Sequence, residues 1–552
     1  MPTPNSCPDD ALLSRRGFVA LTSTAAAAGA IASMAGVAAA ASPRGAPHVI
    51  RHTGFDVEER SVAEWQAALS RGELTSRQLV ERYLQRIESL DATGPQLRAV
   101  LETNPDALDI ATALDAERRA GKLRGPLHGI PVLVKDNIDT ADRMHTTAGS
   151  EALAADRPSR DAFIVERLRA AGAIVLGKTN LSEWANFRST HSSSGWSGRG
   201  GQARNPYALD RTPSGSSSGS AIAAASNYCT AAIGTETDGS ITSPSAACSL
   251  VGVKPTVGLV SRSGIVPISH TQDTAGPMCR SVADAAVLLA AIAGADPRDE
   301  ATRRALTADY PAALDADGLK GARIGVARDK LTGYSVAADA AFEHALAVMK
   351  DRGAVIVNPA DITTVNKFND AEFDVLLYEF KPDLERYLAT RSAGAPARTL
   401  DALIAFNRDH ADTEMPYFKQ EIFEMSAKKG PLTSAGYRKA LAQCRTLSRT
   451  QGLDATFAKH RVDAIVAPTM GAPWLIDLVN GDVGAGGSST TPCAVAGYPA
   501  ITVPMGYARG LPVGITFMGR AWSEATLLKL AYAYEQAAQV RVAPGFAATA
   551  HL

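Results

Sequence analysis

Apolar side chains first recur at helical spacing in residues 63–90. The run divides at Gly72 into AEWQAALSRG and TSRQLVERYLQRIESL. The second piece carries Leu79, Tyr83, Ile87 and Leu90 at helical spacing, and Thr75 or Ser76 is placed to cap it. A further amphipathic helix is predicted over 107–120, stopped by Gly121. Residues 130–134 are then continuously apolar, which predicts a short strand, with Lys135 at its end. A helix over 161–171, a strand at 174–176 and an alanine-rich helix over 220–227 follow. Next come a helix over 281–293, with Ser281 and Asp284 in capping-box positions, a strand over 322–327, a helix over 337–352 and a strand over 354–357. Residues 366–451 read as almost wholly helical, with polar stretches such as DHADTEMPYFKQ, and suit either a helical cap over a site or a peripheral subdomain. Apolar strands return at 463–467, 500–504 and 513–518, separated by loops rich in glycine and proline.

This alternation predicts an α/β protein, a large αβα sandwich around a largely parallel or mixed sheet. With 552 residues the chain can bury a large core, and 45% hydrophobic with 20% charged residues is an ordinary globular balance. A formal net charge of -1 favours neither a nucleic-acid surface nor an anionic membrane. Ser14-Arg15-Arg16-Gly17-Phe18, ahead of an alanine-rich run ending near Ala41, reads as a removable twin-arginine export signal over 1–41. The mature domain is then 42–552, in a bacterial periplasm or secreted, without stable membrane insertion once the signal has gone. Cys229, Cys248, Cys279, Cys444 and Cys493 are scattered and form no CxxC pair, which suits buried thiols better than a disulfide framework.

Two motif matches fail on context. Residues 172–179 satisfy the P-loop pattern, but its four middle residues, Ala173 to Leu176, are the predicted strand rather than a loop of exposed N–H groups. Gly215-Ser216-Ser217-Ser218-Gly219 satisfies G-x-S-x-G, yet residues 205–213 before it are polar and proline-bearing, and a nucleophile elbow needs a strand there.

The informative stretch is 211–254, RTPSGSSSGSAIAAASNYCTAAIGTETDGSITSPSAACSLVGVK. Ser240 lies in a tight loop, Gly234 to Ile241, whose consecutive N–H groups can form an oxyanion cavity. Ser216 lies twenty-four residues earlier, across the alanine-rich helix. A serine nucleophile needs a base. The ten histidines include His128, His145 and His191, none with a paired carboxylate motif. A desolvated lysine can serve, because burial disfavours its charged form, and Lys135 follows an apolar run; a surface lysine at a strand terminus is the plain alternative.

These segments together resemble the amidase signature family. Gly129-Ile130-Pro131-Val132 through Lys135-Asp136 is similar to the family's lysine segment, and Gly215-Ser216-Ser217 through Gly219-Ser220 to its glycine-serine loop. Asp238-Gly239-Ser240-Ile241, Pro244 and 252–256 match the second half of the signature, and 176–183 looks like another shared segment. The resemblance implies a Ser-cisSer-Lys triad. Ser240 would be the nucleophile, Ser216 in a cis peptide linkage the proton relay, and Lys135 the neutral base. Ser217 would support the relay, and the N–H groups of Thr237, Asp238, Gly239 and Ser240 would receive the oxyanion. It implies neither metal nor organic cofactor, and a small-molecule or peptide amide as substrate, with no nucleic-acid partner; the oligomeric state stays open. Ser214, Ser218 and Asp238 stand where the family usually has glycine, and Asp238 brings a carboxylate that could meet substrate or tune the lysine. Glu236 to Ser240, with Ser182 to Arg188 upstream, look most like the peptide amidases, which remove a C-terminal amide. The alternatives are a general aliphatic or aryl amidase, a glutamine-hydrolysing amidotransferase component, and a non-enzymatic scaffold.

Overall fold

Capping chemistry sets the first two helices. Ser61 and Glu64 form a reciprocal capping box for Val62–Ser70, and Thr75 and Gln78 form another for Ser76–Ile87. Gly72 turns the chain between them at φ +70°, a left-handed conformation that glycine adopts without penalty. The second helix buries Leu79, Val80, Tyr83 and Ile87. Ser281 caps Val282–Ile292 by accepting from the Asp284 N–H, but the expected box is only half made. The Asp284 carboxylate accepts instead from the N–H of Val62, 2.9 Å away, and so ties two helices together.

This computed structural model describes residues 57–551, apart from 306–307, 393–394, 396 and 485–486. The export signal expected over 1–41 lies outside the described residues. Among the described residues, no helix is long and apolar enough to cross a membrane, and the cysteines from Cys229 to Cys493 are buried free thiols.

Among the described residues, eleven strands form one sheet. In chain order they are β1 (Val100–Thr103), β2 (Pro131–Lys135), β3 (Ile174–Thr179), β4 (Ala231–Glu236), β5 (Val251–Lys254), β6 (Thr274–Cys279), β7 (Arg323–Val326), β8 (Val355–Val357), β9 (Ala464–Pro468), β10 (Ala500–Ala508) and β11 (Leu511–Met518). Their spatial order is β1-β3-β2-β4-β6-β5-β10-β11-β9-β7-β8. The sheet is mixed. β3, β2 and β4 run parallel near one edge and β9, β7 and β8 at the other, while antiparallel pairs from β4 to β9 fill the middle. Helices cover the sheet, as the αβα expectation required. Strands β2 to β6 are buried at every position, so they carry no alternation of polar and apolar residues.

The segment 366–451 is helical as expected, with helices that include Asn369–Leu388, Leu400–Asp409, Glu421–Ala427 and Ala435–Arg445. It docks on the loop 183–188 through aromatic contacts. Trp184 meets Phe423 edge-on at 5.7 Å, Phe187 meets Phe380 at 5.1 Å, and the Arg188 guanidinium lies 4.4 Å from the Phe418 ring centre. Arg188 is fully buried, and its Nε is 2.8 Å from Glu183 Oε1.

Candidate active site

Strands β2 and β4 are parallel neighbours, with Val134 opposite Ile233, so their carboxyl ends lie side by side. In open α/β sheets the crevice beyond such ends is where ligands gather. Lys135 closes β2 and Thr235-Glu236 closes β4. The chain reaches the same place a third time through the loop before helix Ser218–Ala225, where the Gly215–Ser216 peptide bond is cis. Position 215 admits no side chain, since a Cβ there would lie 2.2 Å from Ser182 Oγ. The Ser182 N–H donates to the Ser216 carbonyl at 3.0 Å, and the Ser217 N–H donates to the Ser240 carbonyl at 3.2 Å, which joins the serine loop to the loop after β4.

Lys135 Nζ lies 2.8 Å from Ser216 Oγ, 2.8 Å from Thr235 Oγ1 and 3.3 Å from the Thr235 carbonyl oxygen. Lys135 and Ser216 have no exposed surface, whereas Ser240 retains 9%. Among the described residues the Ser240 hydroxyl has no hydrogen-bond partner, and the N–H groups of Asp238, Gly239 and Ser240 donate to no protein acceptor. Gly239 turns the loop at φ +79°. The Ser217 hydroxyl donates to the Thr235 carbonyl at 3.0 Å and accepts from its N–H at 3.1 Å, bracing the end of β4. Glu236 Oε2 accepts from the N–H groups of Ile241 and Thr242 at 2.8 and 2.9 Å and fixes the far side of the loop.

Burial drives the Lys135 pKa down to about 7 from the ordinary lysine value, and the carboxylates of Asp273 and Glu236 resist that shift. A lysine so placed holds a large neutral fraction near neutrality, the state a base requires. Burial likewise raises Asp273 to about 6, against its hydrogen bonds from Thr237 Oγ1 at 2.6 Å and the Ile268 and Ser269 N–H groups. Asp238 is engaged elsewhere: its two oxygens accept from Thr490 Oγ1 at 2.7 Å and Thr491 Oγ1 at 2.8 Å. The charges that act on Lys135 are those of Asp273 and Glu236. Among the described residues one group has donor types suited to a metal, His270, Glu379 and Asp383. Here these atoms serve an internal network, with His270 Nδ1 2.8 Å from Asp383 Oδ2 and Glu379 accepting from Ser269, Thr271 and Tyr437.

The Amidase family model matches residues 78–528. The chain belongs to the amidase family. It is similar to the crystal structure of the peptide amidase PAM in complex with the competitive inhibitor chymostatin, at 53% identity and a TM-score of 0.86, over 89% of this chain and 100% of that one. The native peptide amidase of Stenotrophomonas maltophilia gives 52% identity and a TM-score of 0.85, over 89% and 99% of the two chains. Among curated sequences, a Probable amidase of Arabidopsis thaliana is 42% identical over 506 residues, 90% of this chain and 93% of its own. A Glutamyl-tRNA(Gln) amidotransferase component of Chloroflexus aurantiacus is 36% identical over 503 residues, 87% and 97% of the two.

The protein is thus an amidase, a hydrolase of the family to which its motifs pointed. The structure brings Lys135, Ser216, Ser217 and the 237–240 loop together at one place. The sequence reading missed Thr235, which meets the lysine with two atoms, and Asn137, whose Nδ2 donates to Thr235 Oγ1 at 3.0 Å. Both adjoin motif residues, so proximity to Lys135 and Gly234 was a usable signal. Asp273 was not legible in this way, because the loop 257–272 separates it from the last motif. Lys178, the lysine of the false P-loop, is an interior residue of β3, as the strand interpretation demands.

Proposed function

We propose that the enzyme hydrolyses a carboxamide to carboxylate and ammonia by a two-step acyl transfer, and that its substrates are the C-terminal amides of peptides. Ser240 attacks the amide carbonyl while its proton passes to Ser216 and the Ser216 proton to Lys135. Ser216 then protonates the leaving ammonia, and water cleaves the acyl-enzyme by the reverse relay. The N–H groups of Thr237, Asp238, Gly239 and Ser240 receive the oxyanion, and Ser217 holds the relay in place through Thr235.

The observation that carries this reading is the 2.8 Å contact of a fully buried lysine with a serine that is itself buried, beside a serine hydroxyl and loop N–H groups that no described residue engages. The peptide-amide assignment rests on similarity to the peptide amidases over 89% of the chain. Offering a panel of peptide amides, free aliphatic amides and glutamine, and measuring ammonia release, tests it. Preference for peptide amides, with the internal bonds uncut, is the expected outcome; preference for glutamine would favour the amidotransferase reading, which the 36% identity to the Chloroflexus aurantiacus protein keeps in play.

A further inference from the structure

A cavity of about 20 Å³ lies beside Thr235, with Asn137, Glu236, Thr237 and Asp273 in its wall. It is large enough for one water molecule, which needs about 10–15 Å³. Among the described residues, two in its wall each leave one buried oxygen without a partner, Asn137 Oδ1 and Glu236 Oε1. The opposite atom of each side chain is engaged. Asn137 Nδ2 donates to Thr235 Oγ1, the hydroxyl that also meets Lys135 Nζ, and Glu236 Oε2 takes the Ile241 and Thr242 N–H groups. Both free atoms are acceptors, so the matching occupant is a donor. A cleft of about 370 Å³ shares Arg262, Ile265, Pro267 and Asp273 with the small cavity, which places a larger space against its wall.

We infer that this cavity is a site for one ordered water held by Asn137 and Glu236, and that Asn137 is a positioning residue for Lys135, acting through Thr235 and that water. A buried oxygen left unpaired is costly, and a single water removes that cost for both atoms. Asn137 then holds Thr235 Oγ1 in place against the lysine from one end and the water from the other. With both its O–H groups committed, the water reaches the base only through Asn137 and Thr235. The charged groups around Lys135 are Glu236 at the end of β4 and Asp273 ahead of β6. Arg262, at the cavity wall, is committed to Asp299 at 2.9 Å, and Asp136, next to Lys135, acts on Lys178.

The inference about Asn137 rests on the reading of Lys135 as the base, and the test separates the two. A high-resolution crystal structure of the intact enzyme should show a water within hydrogen-bond reach of both Asn137 Oδ1 and Glu236 Oε1; clear density without one overturns the site. Asn137→Leu, which fills the cavity, should lose the water and cut kcat about tenfold. It should also move the acid limb of kcat/KM to lower pH by at least about half a unit, since Lys135 is further desolvated. Asn137→Asp, nearly isosteric, should fold and move the limb to higher pH, because a new negative charge favours the protonated lysine. A limb unmoved in both variants, with only thermal stability changed, overturns the positioning role. A wild-type rate flat down to about pH 5 would instead sink the lysine base, while the density still decides the water.

Discussion

Lys135 and Lys178 end or nearly end adjacent parallel strands, and neither has exposed surface. Lys178 sits opposite Val134, one residue from Lys135, so the two side chains leave opposite faces of the sheet. Burial pushes both pKa values down. Their surroundings then diverge. Lys178 Nζ donates to the Ile138 carbonyl at 2.6 Å and to Thr146 Oγ1 at 2.7 Å, with Asp136 and Asp139 as its main opposing charges. Lys135 faces two hydroxyls at 2.8 Å, with the Thr235 carbonyl farther off at 3.3 Å, and Asp273 and Glu236 act on it through charge alone. The first environment fixes a lysine, and the second leaves one able to exchange a proton with a serine. Burial alone therefore does not mark a base; what its amine touches does.

The comparison breaks most sharply under substitution. Ser240→Ala should abolish ammonia release, and Lys135→Ala should lower kcat by more than about a thousandfold, each with a wild-type circular dichroism spectrum. If Ser240→Ala stayed active while Ser217→Ala were dead, Ser217 would be the nucleophile after all. Lys178→Met should do the converse. Removing one partner of a buried charge cluster costs about 3–5 kcal/mol of stability, read as a lower denaturation midpoint, while kcat per folded molecule stays within about tenfold. A thousandfold loss in both lysine variants would erase the distinction.

A smaller effect lies in pH. Only the neutral form of Lys135 accepts a proton, and its pKa in the folded protein is about 7. The rate should therefore be full above that value and fall about tenfold per unit below it. Titrating kcat/KM for a peptide amide between about pH 5 and pH 9 checks it. Lys178 contributes no limb of its own, so Lys178→Met should leave the profile in place.

The same contrast shows what the sequence carried. Lys135 was legible because it follows an apolar run in a segment whose partners, Ser216 and Ser240, lie in equally distinctive loops. Lys178 was rightly removed from a phosphate role because its motif fell on a strand. The amphipathic helices were legible as well, since each keeps one polar face. Strands β4, β5 and β6, which hold the site, were not assigned. They are buried on both faces, contain Gly234, Gly252, Gly276 and Pro277, and so lack both periodicity and strand-favouring composition. Pro277 sits opposite Ile233 in the middle of the sheet, where local propensity argues against a strand. The influence of Asp273 on Lys135 depends on that unassigned pairing, which brings the start of β6 against the end of β4.

The smallest effect concerns Asp238, the carboxylate that the resemblance set where glycine is usual. From sequence it could have met substrate or tuned the lysine. The structure commits both its oxygens to Thr490 and Thr491, at the start of helix Thr491–Ala496, and the charges acting on Lys135 are Asp273 and Glu236. Asp238→Asn keeps the shape and one acceptor but forfeits one threonine bond, worth about 1 kcal/mol. It should therefore lower thermal stability slightly, change kcat less than about tenfold, and leave the acid limb unmoved. A limb that shifted in Asp238→Asn by as much as in Glu236→Gln would show that this carboxylate does govern the lysine. The contrast between the two lysines would then rest on charge reaching Lys135 from three sides rather than two.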